Sequence, residues 1–309
     1  MKKILLIGVY GEIGRNLYDT LKDTNELYAF MNKEDTETLD KIHPVYLNPY
    51  KLEHMVEAIR GMDLIIFFED PIMRFSKITQ GRFDTFFELI ADNVGRAAEY
   101  NGVKDIIYIS EEIVHEDVKR TLTSYDVNVI ATDTRVKRLG KSLKYNNSHN
   151  KTMRSAQRAE IPRGWTLEGV MKYYFKWLDE IIFGMFKIES VGDEIHMTIE
   201  TSRTPLLTLR RRKNTPERQI VFDVVGGRLA KRSDSWLEFR ELKHEKSFIM
   251  ALHDFDPALP WPIYAITQAP LHGLVSRIYQ MEMIINDTII EENIKNNPQN
   301  LNSVNKRRI

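Results

Sequence analysis

Three glycines near the start of the chain carry its most chemically informative spacing, Gly8-x-x-Gly11-x-x-Gly14. A glycine at the first position permits a tight turn, one at the second lets a pyrophosphate approach the backbone, and one at the third lets helix and strand pack closely. The chemistry implied is dinucleotide binding, with phosphates seated on a helix N-terminus, where N–H groups and the macrodipole favour an anion. The backbone of Gly8, Tyr10, Gly11, Glu12, Ile13 and Gly14 forms the candidate cradle. Glycine turns between strand and helix also arise for purely structural reasons, so the flanking elements decide the reading.

Other residues capable of chemistry lie far from this turn. His253, Asp254 and Asp256 combine an imidazole with carboxylates, the set a metal or a proton relay would use. The same residues also read as a strand end turning into Pro257, with the aspartates solvated or capping the turn. Arg210, Arg211, Arg212 and Lys213 would either hold an anion or form a solvated turn beside Asn214. His272 reads as a core or surface histidine, and Tyr173, Tyr174, Phe175 and Trp177 as core aromatics. No metal centre is assigned. The absence of cysteine excludes disulfides, thiolate nucleophiles and cysteine metal sites together.

The elements flanking the glycines are the required ones. Residues 4–7 are an unbroken apolar run, suited to a strand buried on both faces, and Leu17, Tyr18 and Leu21 recur at helical spacing. Residues 26–31 read as a second strand closing at Asn32 and Lys33. In a dinucleotide fold the residue closing this strand meets the adenosine ribose, so Asn32-Lys33 leans towards NADP, while Glu34 and Asp35 would serve the ribose of NAD. Residues 45–47 form a short third strand, and residues 52–59 a helix stopped by Gly61. Further strands are expected at 64–68, 106–109 and 127–131, with helices at 83–101 and 112–123 between them. This alternation predicts an α/β doubly wound parallel sheet whose ligand lies at the carboxyl edge of its strands.

Lysine plus arginine and aspartate plus glutamate number 44 each, so no global basic field recruits nucleic acid or a membrane surface. Lys2 and Lys3 precede an apolar run that ends at Gly8, too short for a signal peptide, and no apolar stretch has the length of a membrane span. The expectation is a cytoplasmic protein. At 309 residues the chain is long enough for two domains.

The glycine pattern, AIRGMDLIIFF at 58–68 and NVGRAAEYNGVKDIIYIS at 93–110 together resemble an atypical or extended short-chain dehydrogenase of the NAD-dependent epimerase kind. The resemblance covers roughly the first 135 residues. It implies a nicotinamide cofactor, NADP or NAD. It places Asn48 where the family has an aspartate near the adenine, and sets Phe68 and Glu69 beside the cofactor. The departure from the family concerns its chemistry. Such enzymes polarise a carbonyl or alcohol with a tyrosine acidified by a lysine four residues on. The Tyr-x-x-x-Lys pairs here are Tyr18 with Lys22 and Tyr100 with Lys104, both outside the family's window. Inside that window Tyr125 is followed four residues on by Val129 and Tyr145 by His149, while Lys151 is preceded by Asn147. The catalytic residues are therefore unassigned.

Residues 137–164 are polar and weakly periodic and read as the crossing between domains. Residues 170–183 form an aromatic-rich amphipathic helix. Alternating strands follow at 195–199, 206–210, 219–225, 235–240 and 247–253, and a long helix runs from about 270 to 293. Helix, antiparallel meander and closing helix is the order of a helix-grip domain. The stretches 218–230, 236–242 and 251–275 are similar to the helix-grip domains of the START and polyketide-cyclase kind, which implies an apolar cavity for a small-molecule ligand. The expected organisation is a Rossmann domain over 1–140, a helix-grip domain over 141–295 and a disordered tail over 296–309. Two functions fit: an oxidoreductase or epimerase-like enzyme with a non-standard proton donor, or a non-catalytic binding protein that senses the dinucleotide.

Overall fold

The computed structural model describes residues 1–31, 39–69, 76–110, 113–133, 152–181, 186–199, 204–231 and 234–296. The chain divides into two compact units, the first Met1–Phe75 with Phe83–Asn150, the second Ser76–Arg82 with Lys151–Ile309.

The first unit is built on β1 (Lys3–Ile7), α1 (Glu12–Leu21), β2 (Glu26–Phe30), β3 (Ile42–Val45), α2 (Leu52–Ile59) and β4 (Leu64–Phe68). The next strand, β5 (Ile78–Gly81), belongs to the other unit. The first unit resumes with α3 (Phe83–Asn101), β6 (Asp105–Ile109), α4 (Glu116–Thr123) and β7 (Asn128–Thr132). All six of its strands are parallel, in the order β3-β2-β1-β4-β6-β7. This is a Rossmann-like sheet, and its order reverses direction between β1 and β4. Leu5, Leu6, Ile7, Ile65, Phe67 and Ile106 are fully buried, which is why the central strands are unbroken apolar runs. Gly61 and Gly102, at φ +74° and +73°, end α2 and α3 in the left-handed conformation that favours glycine.

The second unit holds an eight-stranded sheet. Its further elements are β8 (Met153–Glu160), α5 (Leu167–Ile181), β9 (Phe186–Val191), β10 (Glu194–Ile199), β11 (Leu207–Arg211), β12 (Gln219–Gly226), β13 (Trp236–Glu241) and β14 (Ser247–Phe255). The helices α6 (Trp261–Ile266) and α7 (Gln268–Asn296) close it. The order is β5-β8-β14-β13-β12-β11-β10-β9, antiparallel throughout except for the parallel pair of β5 with β8. Phe222, Phe239, Phe248 and Met250 on one face of the sheet form a core with Val170, Phe175 and Trp177 of α5 and Tyr279 and Met283 of α7.

Several elements differ from the expectation. β3 lies at 42–45 rather than 45–47 and contains Pro44, which an edge strand tolerates because one side needs no ladder hydrogen bond. α4 starts at Glu116, later than 112, with His115 as its N-cap residue. β8 lies inside the stretch read as an interdomain crossing, and β5 was not expected at all. The division between units is accordingly not one point near 140, since residues 76–82 also belong to the second unit. Asn296 ends α7 rather than starting a tail, and residues 297–309 lie outside the described residues. Among the described residues no helix is long and apolar enough to cross a membrane.

Candidate functional site

The glycine turn sits where β1 hands over to α1, at the carboxyl edge of the sheet and beside its switch point. Gly8 has φ +110°, a conformation that a side chain would strain. Gly11 is the N-cap of α1 at φ −70° and ψ 170°, extended backbone open to any residue, so its lack of a side chain is not a backbone requirement. It is the half-buried residue at which the chain approaches a ligand most closely in this kind of turn. Gly14 plays a different part. A Cβ there would stand 2.5 Å from the Gly8 carbonyl oxygen, 2.6 Å from Cε2 of Phe68 and 2.8 Å from Cα of Val9. The space a side chain would need at Gly14 is thus taken up by helix-to-strand packing, the part expected of the third glycine.

The other predicted contacts separate in the same way. Tyr10 and Ile13 are buried and belong to the core cluster under the turn, along with Val9 and Phe68. Phe68, 1% exposed at the end of β4, has its ring packed in this cluster. Glu12 is half-buried in the first turn of α1, where a carboxylate competes with a phosphate for the positive end of the helix dipole, so a ligand would use its N–H. Asn48 forms a local turn: its Oδ1 accepts the Tyr50 N–H at 3.0 Å, and its own N–H donates to Nδ1 of His54 at 2.9 Å. Asn32 and Lys33, the residues bearing on the choice of dinucleotide, lie outside the described residues, as do Asn147 and Lys151.

A cluster not assembled from the sequence sits on the same carboxyl edge. Glu69, directly after β4 and 4% exposed, accepts hydrogen bonds from the Tyr108 hydroxyl and from Ser110 Oγ at 3.2 Å. Nε2 of His115 stands 3.4 Å from the same carboxylate, with its side chain 45% exposed. Burial and the neighbouring Glu69 charge hold the Tyr108 phenol well above its ordinary pKa, so it keeps its proton near neutrality and does not act as a phenolate base. The Glu69 and His115 pair, by contrast, joins a buried carboxylate to solvent through a group that can carry a proton. Glu69 was anticipated beside the cofactor. Its partners come from β6 and from the cap of α4, about forty residues on, and no local pattern announces them.

Both Tyr-x-x-x-Lys pairs are remote from this edge. Tyr18 donates to the Asp40 carbonyl, and the Lys22 ammonium lies 4.9 Å from the Tyr18 ring centroid, towards the end of α1. Tyr100 is 78% exposed at the end of α3, and Lys104 pairs with Asp126 just before β6, at the amino edge of the sheet. Tyr125 is committed to packing: its hydroxyl donates to buried Asp92, and its ring fills the space beside Gly95.

In the second unit the candidate ligands do not converge. His253, fully buried, meets Glu238 at 2.9 Å and stacks on Trp236 with ring centroids 4.4 Å apart. Burial alone would raise the Glu238 pKa, but Arg240 and His253 hold it down at about 2. Asp254 pairs with Arg154 at 2.6 Å and Asp256 with Lys231 at 3.5 Å. The run Arg210, Arg211, Arg212, Lys213 is neutralised residue by residue by Glu194, Glu168, Asp223 and Asp193, which favours the solvated turn over an anion site. Burial lowers His272 to about 4, and its Nδ1 lies 3.1 Å from Oε1 of Gln80. Tyr174 packs edge-on against Phe239 and Tyr279, and Phe175 against Phe222, so these aromatics are core.

No protein-family model matches the chain. It is similar to the auxiliary protein GraX of Staphylococcus aureus, 29% identical over 290 residues, a match covering 92% of this chain and 94% of that one. Among solved structures it is similar to a nucleoside-diphosphate-sugar epimerase from Staphylococcus aureus, at 20% identity and a TM-score of 0.34 over 42% of this chain and 49% of that one. A Rossmann-fold NAD(P)-binding family protein from Shigella flexneri matches at 16% identity and a TM-score of 0.33, over 42% of this chain and 66% of that one. The Bordetella bronchiseptica enzyme WbmH in complex with NAD+ matches at 15% identity and a TM-score of 0.31, over 42% and 54%. The chain spans about half the length of the solved structures it matches.

Proposed function

We propose that this chain binds a nicotinamide dinucleotide at the carboxyl edge of its first sheet and uses it as a bound signal rather than as a hydride carrier. The observation that carries the reading is the turn itself: Gly8 at φ +110°, Gly11 capping α1 with no side chain, and the strand order reversing directly beside them. The residues fit the cofactor's phosphates by backbone alone, which suits an anion held by N–H groups and a helix dipole. Non-catalytic use is supported by the absence of a usable tyrosine and lysine pair at this edge among the described residues and by the raised pKa of Tyr108. The relative that matches over most of the chain is named an auxiliary protein, which agrees with a binding role. Lys33 and Asn32 favour NADP over NAD.

One observation favours the enzymatic alternative. Glu69 and His115 could relay a proton from solvent to the strand edge and so replace the phenol of a dehydrogenase. For the second unit, the pairing of its first long strand, β8, with its last, β14, and the closing helix α7 support a helix-grip reading with an apolar ligand. A cytoplasmic location suits both functions.

Calorimetric titration of the purified chain with NADP and NAD, with nicotinamide absorbance followed against a panel of carbonyl compounds, tests the proposal. Binding without turnover is expected, with NADP at least as tight as NAD. Absence of binding to either refutes the site. Robust hydride transfer that is lost in Glu69→Gln establishes the enzymatic reading instead.

A further inference from the structure

Seven of the fourteen large hydrophobic side chains exposed on the described residues lie on α6 and α7: Ile263, Ile266, Leu271, Leu274, Met281, Ile284 and Ile285. The inner face of α7 already supplies Tyr279, Met283 and Ile290 to the core of its own unit, with the smaller or polar Ala269, Gly273, Ser276 and Asn286 alongside them. The exposed hydrophobics are therefore a second apolar set, on the side of the helix away from that core. The outward residues are regularly spaced. Leu271, Leu274, Met281 and Ile285 are exposed, and with Ile278, which is half-buried against the core of its own unit, they recur at intervals of three and four, the period of a two-stranded coiled-coil seam.

We infer that this stripe is a homodimer interface in which α7 of one copy lies parallel to α7 of a second copy. The spacing places Leu271, Ile278 and Ile285 at the first position of successive heptads and Leu274 and Met281 at the fourth. Isoleucine at the first and leucine-like residues at the fourth favour two parallel strands. The flanking charges agree. Arg277 borders the stripe on one side and Glu282 on the other, five residues on, so in a parallel pair each guanidinium falls opposite Glu282 of the second copy. One oxygen of Glu282 is already engaged within its own copy, accepting the Tyr173 hydroxyl at 2.5 Å and Nδ2 of Asn286 at 3.2 Å. The seam would need α6 to reach the extent of a standard interface. At their exposures the four exposed seam residues present on the order of 400 Å² per copy, and Ile284 with Ile263 and Ile266 of α6 raise this to on the order of 700 Å², against the ~800 Å² per partner of a standard interface.

Light scattering and sedimentation velocity on the full chain test this directly. The expected mass is twice the 36.3 kDa of one copy. The double variant Leu274→Lys/Met281→Lys, in which both substituted side chains are solvent-exposed, should run as a single copy with unchanged circular dichroism and a thermal midpoint that, unlike that of the dimer, does not rise with protein concentration. The chain has no cysteine, so a single Leu271→Cys reports orientation: in a parallel pair position 271 faces itself, and oxidation should link the copies covalently. A cysteine at exposed Glu57 should not link and serves as the control. A mass of one copy at micromolar concentration overturns the proposal, as does a dimer that survives the double lysine variant. Dimers that Leu271→Cys does not cross-link overturn the parallel arrangement. A single-copy chain that binds anionic phospholipid vesicles through these residues makes the face a lipid surface, and the homodimer falls.

Discussion

Replacing Gly14 with alanine should destabilise the first unit although it inserts a better helix former into α1. On an open helix the exchange would gain about 0.5–1 kcal/mol. At Gly14 the new Cβ would stand 2.5 Å from a carbonyl oxygen and 2.8 Å from a Cα, both in the turn that also carries Gly8. Those atoms cannot swing away as a side-chain tip would, so α1 must lift from β1 or the turn must open. Overpacking of this kind costs roughly 1–3 kcal/mol, and Phe68 Cε2 at 2.6 Å adds a second obstacle, which puts the upper half of that range in play. A net loss of about 2 kcal/mol, at a urea slope of about 2 kcal/mol/M, lowers the unfolding midpoint by about 1 M with the slope unchanged. Urea titration followed by circular dichroism, alongside the unmodified chain, reads this shift. An unchanged or raised midpoint would refute the close helix-to-strand approach and, with it, the assignment of Gly14 to packing.

Gly11→Val is the complementary test. Its φ of −70° suits a branched residue, so the fold should be retained to within about 1 kcal/mol while dinucleotide affinity, read by calorimetry, collapses; unchanged affinity removes the site. Tyr100→Phe and Tyr18→Phe should leave dinucleotide binding and any hydride transfer unaltered, and loss of a robust activity in Tyr100→Phe would mean that the phenol is used. Acid should weaken the second unit in two stages. His272, near 4 when folded against a usual 6.5, is neutral in the fold and charged in the unfolded chain, so stability falls as pH drops from about 6.5 to about 4. Glu238, near 2 against 4.5, then loses its contribution as pH falls further through that lower range. His272→Gln should flatten the first stage, worth about 1–3 kcal/mol, and an unflattened profile by denaturation at stepped pH counts against it.

The parts of the fold that could be read from sequence were those fixed by local pattern. Residues 4–7, 64–68 and 106–109 are continuous apolar runs because the central strands are covered on both faces, and the glycine turn carries its own spacing. β3 was displaced because an edge strand with exposed His43 and Pro44 gives no apolar signal. β8, MRSAQRAE, was missed because arginine, serine and glutamine interrupt its apolar residues, although Ser155 is 1% exposed in the sheet. The four residues of β5 are too few for any periodicity. The same limit applies to the site. Glu69, Tyr108, Ser110 and His115 are assembled by the pairing of β4 with β6 and by the cap of α4, and only tertiary structure brings them together.

The diversion of β5 bears on how the polypeptide is made. Ile78 pairs with Met153, so this strand leaves the ribosome 75 residues before its partner exists. At about 5–20 residues per second that is roughly 4–15 s in which a short strand waits with its edge open. A gene cut near codon 150 would strand the two partners on different polypeptides and leave β8 with a bare edge, inviting aggregation of the downstream half. Expression of that half should therefore succeed only when residues 76–82 are supplied, either as a fused segment or as a peptide added during refolding.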